Sequence, residues 1–246
     1  MAPGVGNVTV GDGTATLNIG DQSIGDRSGC PDYPAAPAIH YAGRLETSFV
    51  DNDPVGTLTD FGSLGQDATQ ATGSQQPTFQ SPCDVGGTNQ PCIDSDGGDF
   101  LQTATFAAQT QPATVCGVWG YTVDSTMYLS DGIATSNRNT IFRVSSEVRA
   151  FAGSSIFTAA DISINTLNWT CATFNGASSR ITINGTEYTG NAGTQALTGV
   201  TLLAAFNVSA TAEILFSEWL LFNGDVDHAD AAETFDCYYG AGWPKS

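Results

Sequence analysis

The chain has 246 residues, 41% of them hydrophobic, and its 25 acidic and 7 basic residues give a net charge of −18. Nucleic-acid binding depends on clustered lysine and arginine, and docking on anionic lipid needs a basic surface, so we expect neither a nucleic-acid nor a membrane partner. The apolar fraction is large enough to bury one sizeable core.

The first 38 residues differ in pattern from the rest of the chain. The stretch "VTVGDGTATLNI" alternates apolar and polar residues around a Gly-Asp-Gly turn, which predicts a small hairpin. The following "GDQSIGDRSGCPDYPAAPA" is too rich in glycine and proline for regular structure. A lone hairpin is marginal in water, so this one either packs on the body or pairs with another chain. We interpret 1–38 as an arm suited to assembly, with apolar contacts from Val8, Val10, Leu17 and Ile19.

Beyond the arm, the chain consists of short strand-like stretches separated by Gly, Asn, Asp and Ser. The stretch "TVCGVWGYTV" at 114–123 is apolar on both faces, as is typical of a strand in the middle of a sandwich. The pattern then repeats through "TMYLS", "TIFRV", "EVRAF", "NWTCATF", "RITIN", "VTLLAAF" and "AEILFSEWLLF". This spacing predicts two packed antiparallel sheets.

A hairpin is predicted at residues 178–190, "SSRITINGTEYTG". Asn184-Gly185 favours a type I′ turn, because both residues tolerate a positive φ. Alternation places Ile181 and Ile183 towards the core and turns Arg180, Thr182 and Asn184 the other way. We interpret the hairpin as an architectural ribbon with no catalytic residue beside it.

One helix is predicted near the C-terminus, in "GDVDHADAAETFDCYYG". Asp225 or Asp227 can cap its first turn, and Gly240 ends it. Phe235 and Tyr239 lie four residues apart on one face, which we expect to seal an edge of the sandwich.

The six cysteines include no Cys-x-x-Cys pair, so the sequence favours disulfides over a zinc site. Cys83 and Cys92 flank a short loop and are the predicted disulfide. The run "DSDGGD" contains three carboxylates that either surround a calcium ion, the one cofactor considered, or cap a turn; they are Asp94, Asp96 and Asp99.

Glycan binding in a sandwich usually needs an exposed aromatic side chain that stacks on a sugar face. Trp119, Trp169 and Trp219 lie in apolar strands, where core packing is the default. Tyr128 and Trp243 are therefore the candidate glycan-binding residues.

Three stretches carry a family resemblance. The first, at 53–80, contains Asp60, Gly62, Gly65, Asp67, Ala68, Gln76, Pro77 and Thr78; the second is "IDSDGGDFLQT" at 93–103; the third runs from "LNWTCATFNG" to "YYGAGW". Together they resemble the laminin-G-like, concanavalin-type jelly roll over about 45–243. The resemblance implies an all-β, two-sheet antiparallel jelly-roll sandwich with one short C-terminal helix, in which 39–246 form the jelly-roll domain after the N-terminal arm. Proteins of this type occur as glycan-binding modules, domains of secreted enzymes and phage virion appendages.

A β-glucan hydrolase of this type would need paired carboxylates on one strand, in a Glu-x-Asp-x-x-Glu run. The chain contains no such run. Glu147 lacks a partner, and Glu213 and Glu218 are five residues apart, so we expect them on opposite sides of their strand. The sequence therefore predicts a protein that is not an enzyme.

Our leading hypothesis from the sequence is a non-catalytic structural protein on a virion surface: a phage capsid decoration (cement) protein or tail appendage with weak glycan adhesion. Its motivation is an acidic jelly roll with a detachable arm and without the basic start and apolar run of a secretory signal. The expected partners are a major capsid protein or another virion protein, in a homotrimer, and the expected location is the virion surface or extracellular space. The alternatives are an extracellular lectin-like, polysaccharide-binding module and, second, a glycoside hydrolase.

Overall fold

The computed structural model describes residues 30–83, 90–158, 160–208 and 213–239. These residues form sixteen strands and one α-helix, α1 (His228–Tyr239), and none of their helices is long and apolar enough to cross a bilayer. The strands are β1 (Ile39–Ala42), β2 (Thr57–Leu58), β3 (Ala68–Thr69), β4 (Thr78–Gln80), β5 (Cys92–Asp96), β6 (Leu101–Thr103), β7 (Ala113–Tyr121), β8 (Met127–Asp131), β9 (Thr140–Val144), β10 (Glu147–Phe151), β11 (Ser155–Phe157), β12 (Asn168–Phe174), β13 (Ser179–Ile183), β14 (Thr186–Gly190), β15 (Thr201–Leu202) and β16 (Glu213–Phe222). Short 3-10 helices lie at Gly43–Leu45, Gly73–Gln75 and Gly176–Ser178.

The strands form two antiparallel sheets of eight strands each, which confirms the predicted sandwich with one C-terminal helix. The first sheet has the order β14-β13-β12-β7-β16-β5-β4. β1 is its eighth strand and pairs with the C-terminal half of β16, whereas β5 pairs with the N-terminal half. The second sheet has the order β11-β10-β9-β8-β15-β6-β3-β2.

The main core lies between the two sheets. Trp119 on β7 and Trp219 on β16 are both fully buried there, as the apolar strands predicted. Ile141 and Val148 of the second sheet contribute to the same core from the opposite side. Burying each such side chain contributes about 1.5–3 kcal/mol, so this layer supplies most of the hydrophobic stabilisation.

A second apolar layer lies on the outer face of the first sheet. Val118 and Phe222 point to that face and pack with Phe235 and Tyr239 of α1. The expectation that α1 seals an edge of the sandwich is therefore wrong, because the helix lies across the face. The physical reason is that β7 and β16 are apolar on both faces. The outer face of the first sheet must therefore also be shielded from water, and α1 packs on it.

A β-bulge in β16 changes which side its carboxylates face. The register against β7 shifts between Phe216 and Glu218. Glu218 pairs with Val118, while Glu213 accepts a hydrogen bond from Thr122, four residues beyond Val118 and therefore on the same side of the sheet. The expectation that Glu213 and Glu218 face opposite sides is wrong, because the extra residue of a bulge inverts the alternation.

Glu218 is a fully buried carboxylate that joins four parts of the chain. It accepts hydrogen bonds from the hydroxyl of Tyr33, from Tyr239 at 2.7 Å and from His40 Nε2 at 2.6 Å. The guanidinium of Arg44 lies 2.9 Å from Glu218 Oε1. Burial by itself raises the pKa of Glu218, but the hydrogen bond from His40 and the charge of Arg44 outweigh it and lower the pKa to about 2. The carboxylate is thus charged, both of its oxygens accept hydrogen bonds from protein groups, and a substrate cannot reach it.

All six cysteines form disulfides. The predicted Cys83–Cys92 disulfide is present, together with Cys116–Cys171 across β7 and β12 and Cys30–Cys237. The last one ties residues 30–38, the end of the predicted arm, to α1. The arm residues on which the assembly hypothesis depends lie outside the described residues: Val8, Val10, Leu17 and Ile19.

Candidate functional site

An open cleft of about 550 Å³ lies between the β13–β14 hairpin and α1. The hairpin forms one wall, α1 forms the other, and the indole of Trp169 on β12 lies between them. The residues around it come from β12, from the hairpin that follows it, and from α1 with the residue before it: Trp169, Arg180, Thr182, Asn184, Gly185, Glu187, Asp227, His228, Ala229, Ala232, Glu233 and Asp236.

The hairpin wall follows directly from strand alternation. Ile181 and Ile183 are buried in the core, as predicted, so Arg180 and Thr182 point the opposite way, into the cleft. The turn has the predicted positive φ at both central residues, 46° at Asn184 and 89° at Gly185. The interpretation of this hairpin as architecture alone is therefore incomplete, because its outer side lines a cleft.

The helix wall follows from the helical repeat. Ala229, Ala232, Glu233 and Asp236 are spaced at i, i+3, i+4 and i+7, which places them on one face of α1. Asp227 Oδ1 accepts a hydrogen bond from the Ala229 amide at 2.8 Å, which confirms one of the two predicted capping residues. The two alanines fill little volume, and this leaves the space between helix and hairpin open.

His228 closes the inner end of the cleft and is only 3% exposed. Its Nε2 lies 2.9 Å from the Thr173 hydroxyl and its Nδ1 lies 2.7 Å from the Thr182 hydroxyl. A threonine hydroxyl both donates and accepts, so the two together satisfy a neutral imidazole, which has one donor and one acceptor nitrogen. Burial and the positive charge of Arg180 lower the pKa of His228 from 6.5 to about 4.

This buried histidine predicts a specific pH dependence of stability. In the unfolded chain His228 binds a proton below about pH 6.5. In the folded protein it stays neutral down to about pH 4, although the negative charges of Asp225 and Asp227 act to raise its pKa. The unfolded state therefore binds more protons in that interval, and the free energy of unfolding falls by about 3 kcal/mol as the pH drops through it. Urea titrations from pH 7 to pH 4 should show this loss for the wild type and not for His228→Gln. If the free energy of unfolding fell equally with pH in both proteins, the loss would not come from His228.

Two buried polar atoms of the cleft residues have no hydrogen-bond partner among the described residues: the donor Arg180 Nε and the acceptor Asp236 Oδ1. The other nitrogens of Arg180 are engaged, with Asp225 Oδ1 and the Val226 carbonyl at 2.8 Å and with Glu187 at 3.4 Å. Both atoms are closed to solvent, and leaving such buried polar atoms unpaired costs free energy.

Of the two glycan-binding residues predicted from the sequence, Tyr128 does not line this cleft. Tyr128 lies on β8, on the outer side of the second sheet, where its ring stacks on Phe142 with centroids 5.3 Å apart. One face of its ring is thus already covered by a neighbour. Trp243 lies outside the described residues.

The three aspartates of the calcium hypothesis do not converge. Asp94 Oδ2 accepts a hydrogen bond from Gln80 at 2.6 Å, and Asp99 Oδ2 accepts one from the Asp96 amide at 3.2 Å. Among the residues that the structure describes, no group of three or more His, Cys, Asp or Glu side chains is placed to hold a metal ion. The contacts fit the other interpretation of this run, in which aspartates cap a turn.

The fold defines a class: this is a two-sheet β-sandwich of the jelly-roll type with a helix on the outer face of one sheet. Solved structures with this fold include domain 4 of AbnA, a GH43 extracellular arabinanase from Geobacillus stearothermophilus, in complex with arabinotriose (TM-score 0.58, 12% identity, 83% of this chain and 99% of that one). The botulinum neurotoxin serotype G binding domain is a second (0.53, 11% identity, 82% of this chain). Trypanosoma rangeli sialidase in complex with sialic acid is a third (0.52, 10% identity, 85% of this chain).

These likenesses concern the fold. The chain spans 50% of the toxin binding domain and 35% of the sialidase chain. No protein-family model and no curated protein matches the sequence. The structural neighbours therefore agree with the predicted concanavalin-like sandwich at the level of architecture.

Proposed function

We propose that this protein is a non-catalytic carbohydrate-binding module that holds a saccharide in the cleft between the hairpin and α1. The observation that carries the proposal is the open cleft itself, in which small apolar residues of α1 lie beside polar groups of the hairpin. A sugar presents many hydroxyl groups, each of which donates and accepts, and so can pair with these polar groups.

The shape of the cleft supports the same ligand class. Its volume of about 550 Å³ lies within the range of small-molecule sites, about 300–1,000 Å³. Ala229 and Ala232, with the edge of the largely buried Trp169, supply the apolar part of the lining. Asn184, Glu187 and Glu233 supply polar groups around it. Sugars combine apolar ring faces with a polar rim, which matches this lining.

The proposed lack of catalysis draws on Glu218, a carboxylate on β16 with lowered pKa. It is fully buried, and its oxygens already bind Tyr33, His40, Arg44 and Tyr239. A glycosidase nucleophile or acid must reach the anomeric carbon or the leaving oxygen, which Glu218 cannot do. The hydrolase alternative thus receives no support from this residue.

The structural neighbours support a carbohydrate role by analogy. Two of them are sugar complexes by description, one with arabinotriose and one with sialic acid. Because a fold of this kind hosts many functions, this likeness adds to the cleft argument and does not replace it. Membership of the laminin-G-like family stays a proposal on the same basis.

We also propose an extracellular location. Disulfides persist in oxidising environments, and Cys30, Cys83, Cys92, Cys116, Cys171 and Cys237 all form them. The virion-surface hypothesis, with its capsid partner and trimer, stays a prediction from the sequence. None of the three structures compared above is described as a virion protein.

Substitutions in the cleft are expected to weaken saccharide binding. In Ala232→Trp a large indole would enter the cleft from α1, and in Asp236→Ala a carboxylate of the lining is lost. We expect each variant to weaken binding at least about tenfold, since the indole fills the space of the ligand and a hydrogen bond to a charged group contributes about 1.5–3 kcal/mol. A glycan array identifies the ligand, and isothermal titration calorimetry then gives the affinities.

Tyr128→Ala is the matched control, because it removes an aromatic side chain from the second sheet. We expect its affinity to stay within about twofold of the wild type. Thermal unfolding followed by circular dichroism establishes that each variant folds. A loss of binding in Tyr128→Ala with normal binding in both cleft variants would move the site to the second sheet and overturn the proposal.

A further inference from the structure

The charge of the cleft is strongly unbalanced. Four carboxylates line it, those of Glu187, Asp227, Glu233 and Asp236, against the single guanidinium of Arg180. His228 adds no positive charge above about pH 4, because burial lowers its pKa.

The one cation is already neutralised by protein groups. Arg180 forms ion pairs with Asp225 at 2.8 Å and with Glu187 at 3.4 Å. No lysine, arginine or histidine of the described residues lies within ion-pair distance of Glu233 or Asp236, although both face the cleft. These two carboxylates are one helical turn apart on α1 and therefore act on the same space.

A ligand that enters this space meets uncompensated negative charge. An acidic saccharide, such as a uronate or a sialic acid, would bring a third carboxylate next to Glu233 and Asp236, which Coulomb repulsion opposes. The net charge of −18 on the whole chain adds to that repulsion at low salt. An ammonium group would instead be attracted to the carboxylates of Glu233 and Asp236, which line the cleft.

We propose that the cleft selects saccharides that carry a free amine, and prefers a protonated amino sugar to its neutral N-acetylated form and to acidic sugars. This inference rests on the proposed function, since it names the ligand class of the same cleft. The distinguishing group is the sugar ammonium, bound between Glu233 and Asp236.

The test compares three tetrasaccharides by isothermal titration calorimetry at low salt: glucosamine tetramer, its fully N-acetylated counterpart, and galacturonic acid tetramer. At about pH 5.5 the amine is protonated while the carboxylates of the cleft are charged. We expect the glucosamine tetramer to bind at least about tenfold more tightly than the N-acetylated tetramer, and the galacturonate not to bind. Added salt should reduce this preference.

The double variant Glu233→Gln/Asp236→Asn should reduce the preference for the amine below about threefold, because both changes remove charge at nearly constant shape. Glu147→Gln, which removes a carboxylate from the second sheet, is the control and should keep the full preference. A tetralysine peptide tests whether the amine alone is recognised: binding as tight as that of the glucosamine tetramer would overturn selection of a sugar.

The outcomes separate the two proposals. Equal affinity for the glucosamine and N-acetylated tetramers would overturn the charge selection and leave carbohydrate binding standing. Binding of the galacturonate tetramer alone would also overturn it. If neither these tetramers nor any glycan on the array binds, the proposed function itself fails.

Discussion

Replacing Glu218 with glutamine is expected to lower the free energy of unfolding by about 3–5 kcal/mol, because it removes the charge of a fully buried carboxylate and leaves its cationic partner behind. Arg44 lies 2.9 Å from this carboxylate and its side chain is only 11% exposed. Tyr33 and Tyr239 lose a charged acceptor at the same time. Denaturation in guanidinium chloride at pH 7 measures the difference.

Glu218 also predicts how stability responds to acid. Its pKa is lowered to about 2 in the folded protein, below the value of 4.5 for a free carboxyl. The stabilisation is therefore complete above about pH 4.5 and is lost as the pH falls from there towards 2, because the unfolded state takes up the proton first. The Glu218→Gln variant should lack this acid dependence.

The matched control for Glu218 is Glu147→Gln. Glu147 forms a 3.0 Å ion pair with Arg149, but both side chains are partly exposed. An exposed pair contributes about 1 kcal/mol or less, so this variant should unfold almost as the wild type does. Similar losses for Glu147→Gln and Glu218→Gln would show that burial does not make the Glu218 cluster special.

Removing the Cys30–Cys237 disulfide, as Cys30→Ser/Cys237→Ser, is expected to destabilise the protein by about 5 kcal/mol. The two cysteines are 207 residues apart, so the bond closes a very long loop in the unfolded chain. In the folded protein it holds the segment before β1 against α1, next to Glu218. The unfolding free energy under non-reducing conditions gives the value.

Removing the Cys83–Cys92 disulfide is the comparison. Its cysteines are 9 residues apart, and the shorter loop predicts a smaller loss of about 3 kcal/mol. The order of the two losses is the decisive result. If Cys83→Ser/Cys92→Ser were the more destabilised variant, loop closure would not explain the role of Cys30–Cys237.

The strand pattern was readable because alternation and turn chemistry are local. Ile181 and Ile183 share one face of their strand wherever the strand lies, and Asn184-Gly185 favours its turn without help from the rest of the chain. The same locality explains the two wrong expectations. The bulge at residue 217, which puts Glu213 and Glu218 on one face, and the position of α1 both depend on neighbouring strands.

The cleft could be recognised only in part. Two of its signals are in the sequence: the polar side of the hairpin, and the i, i+3, i+4, i+7 spacing of Ala229, Ala232, Glu233 and Asp236. Neither signal indicates that the hairpin and the helix face each other across Trp169. That arrangement results from the packing of α1 onto the outer face of the first sheet, a contact between parts of the chain that are distant in sequence.

The sequence by itself determined the class of fold, the hairpin, the helix and its cap, because periodicity, turn residues and capping act over a few residues. Only the tertiary structure decided that Glu218 binds four partners, that Cys30 pairs with Cys237, and that hairpin and helix enclose a cleft. These features depend on which surfaces meet after the chain collapses. Side-chain packing across the sandwich sets that choice, and no short stretch of sequence contains it.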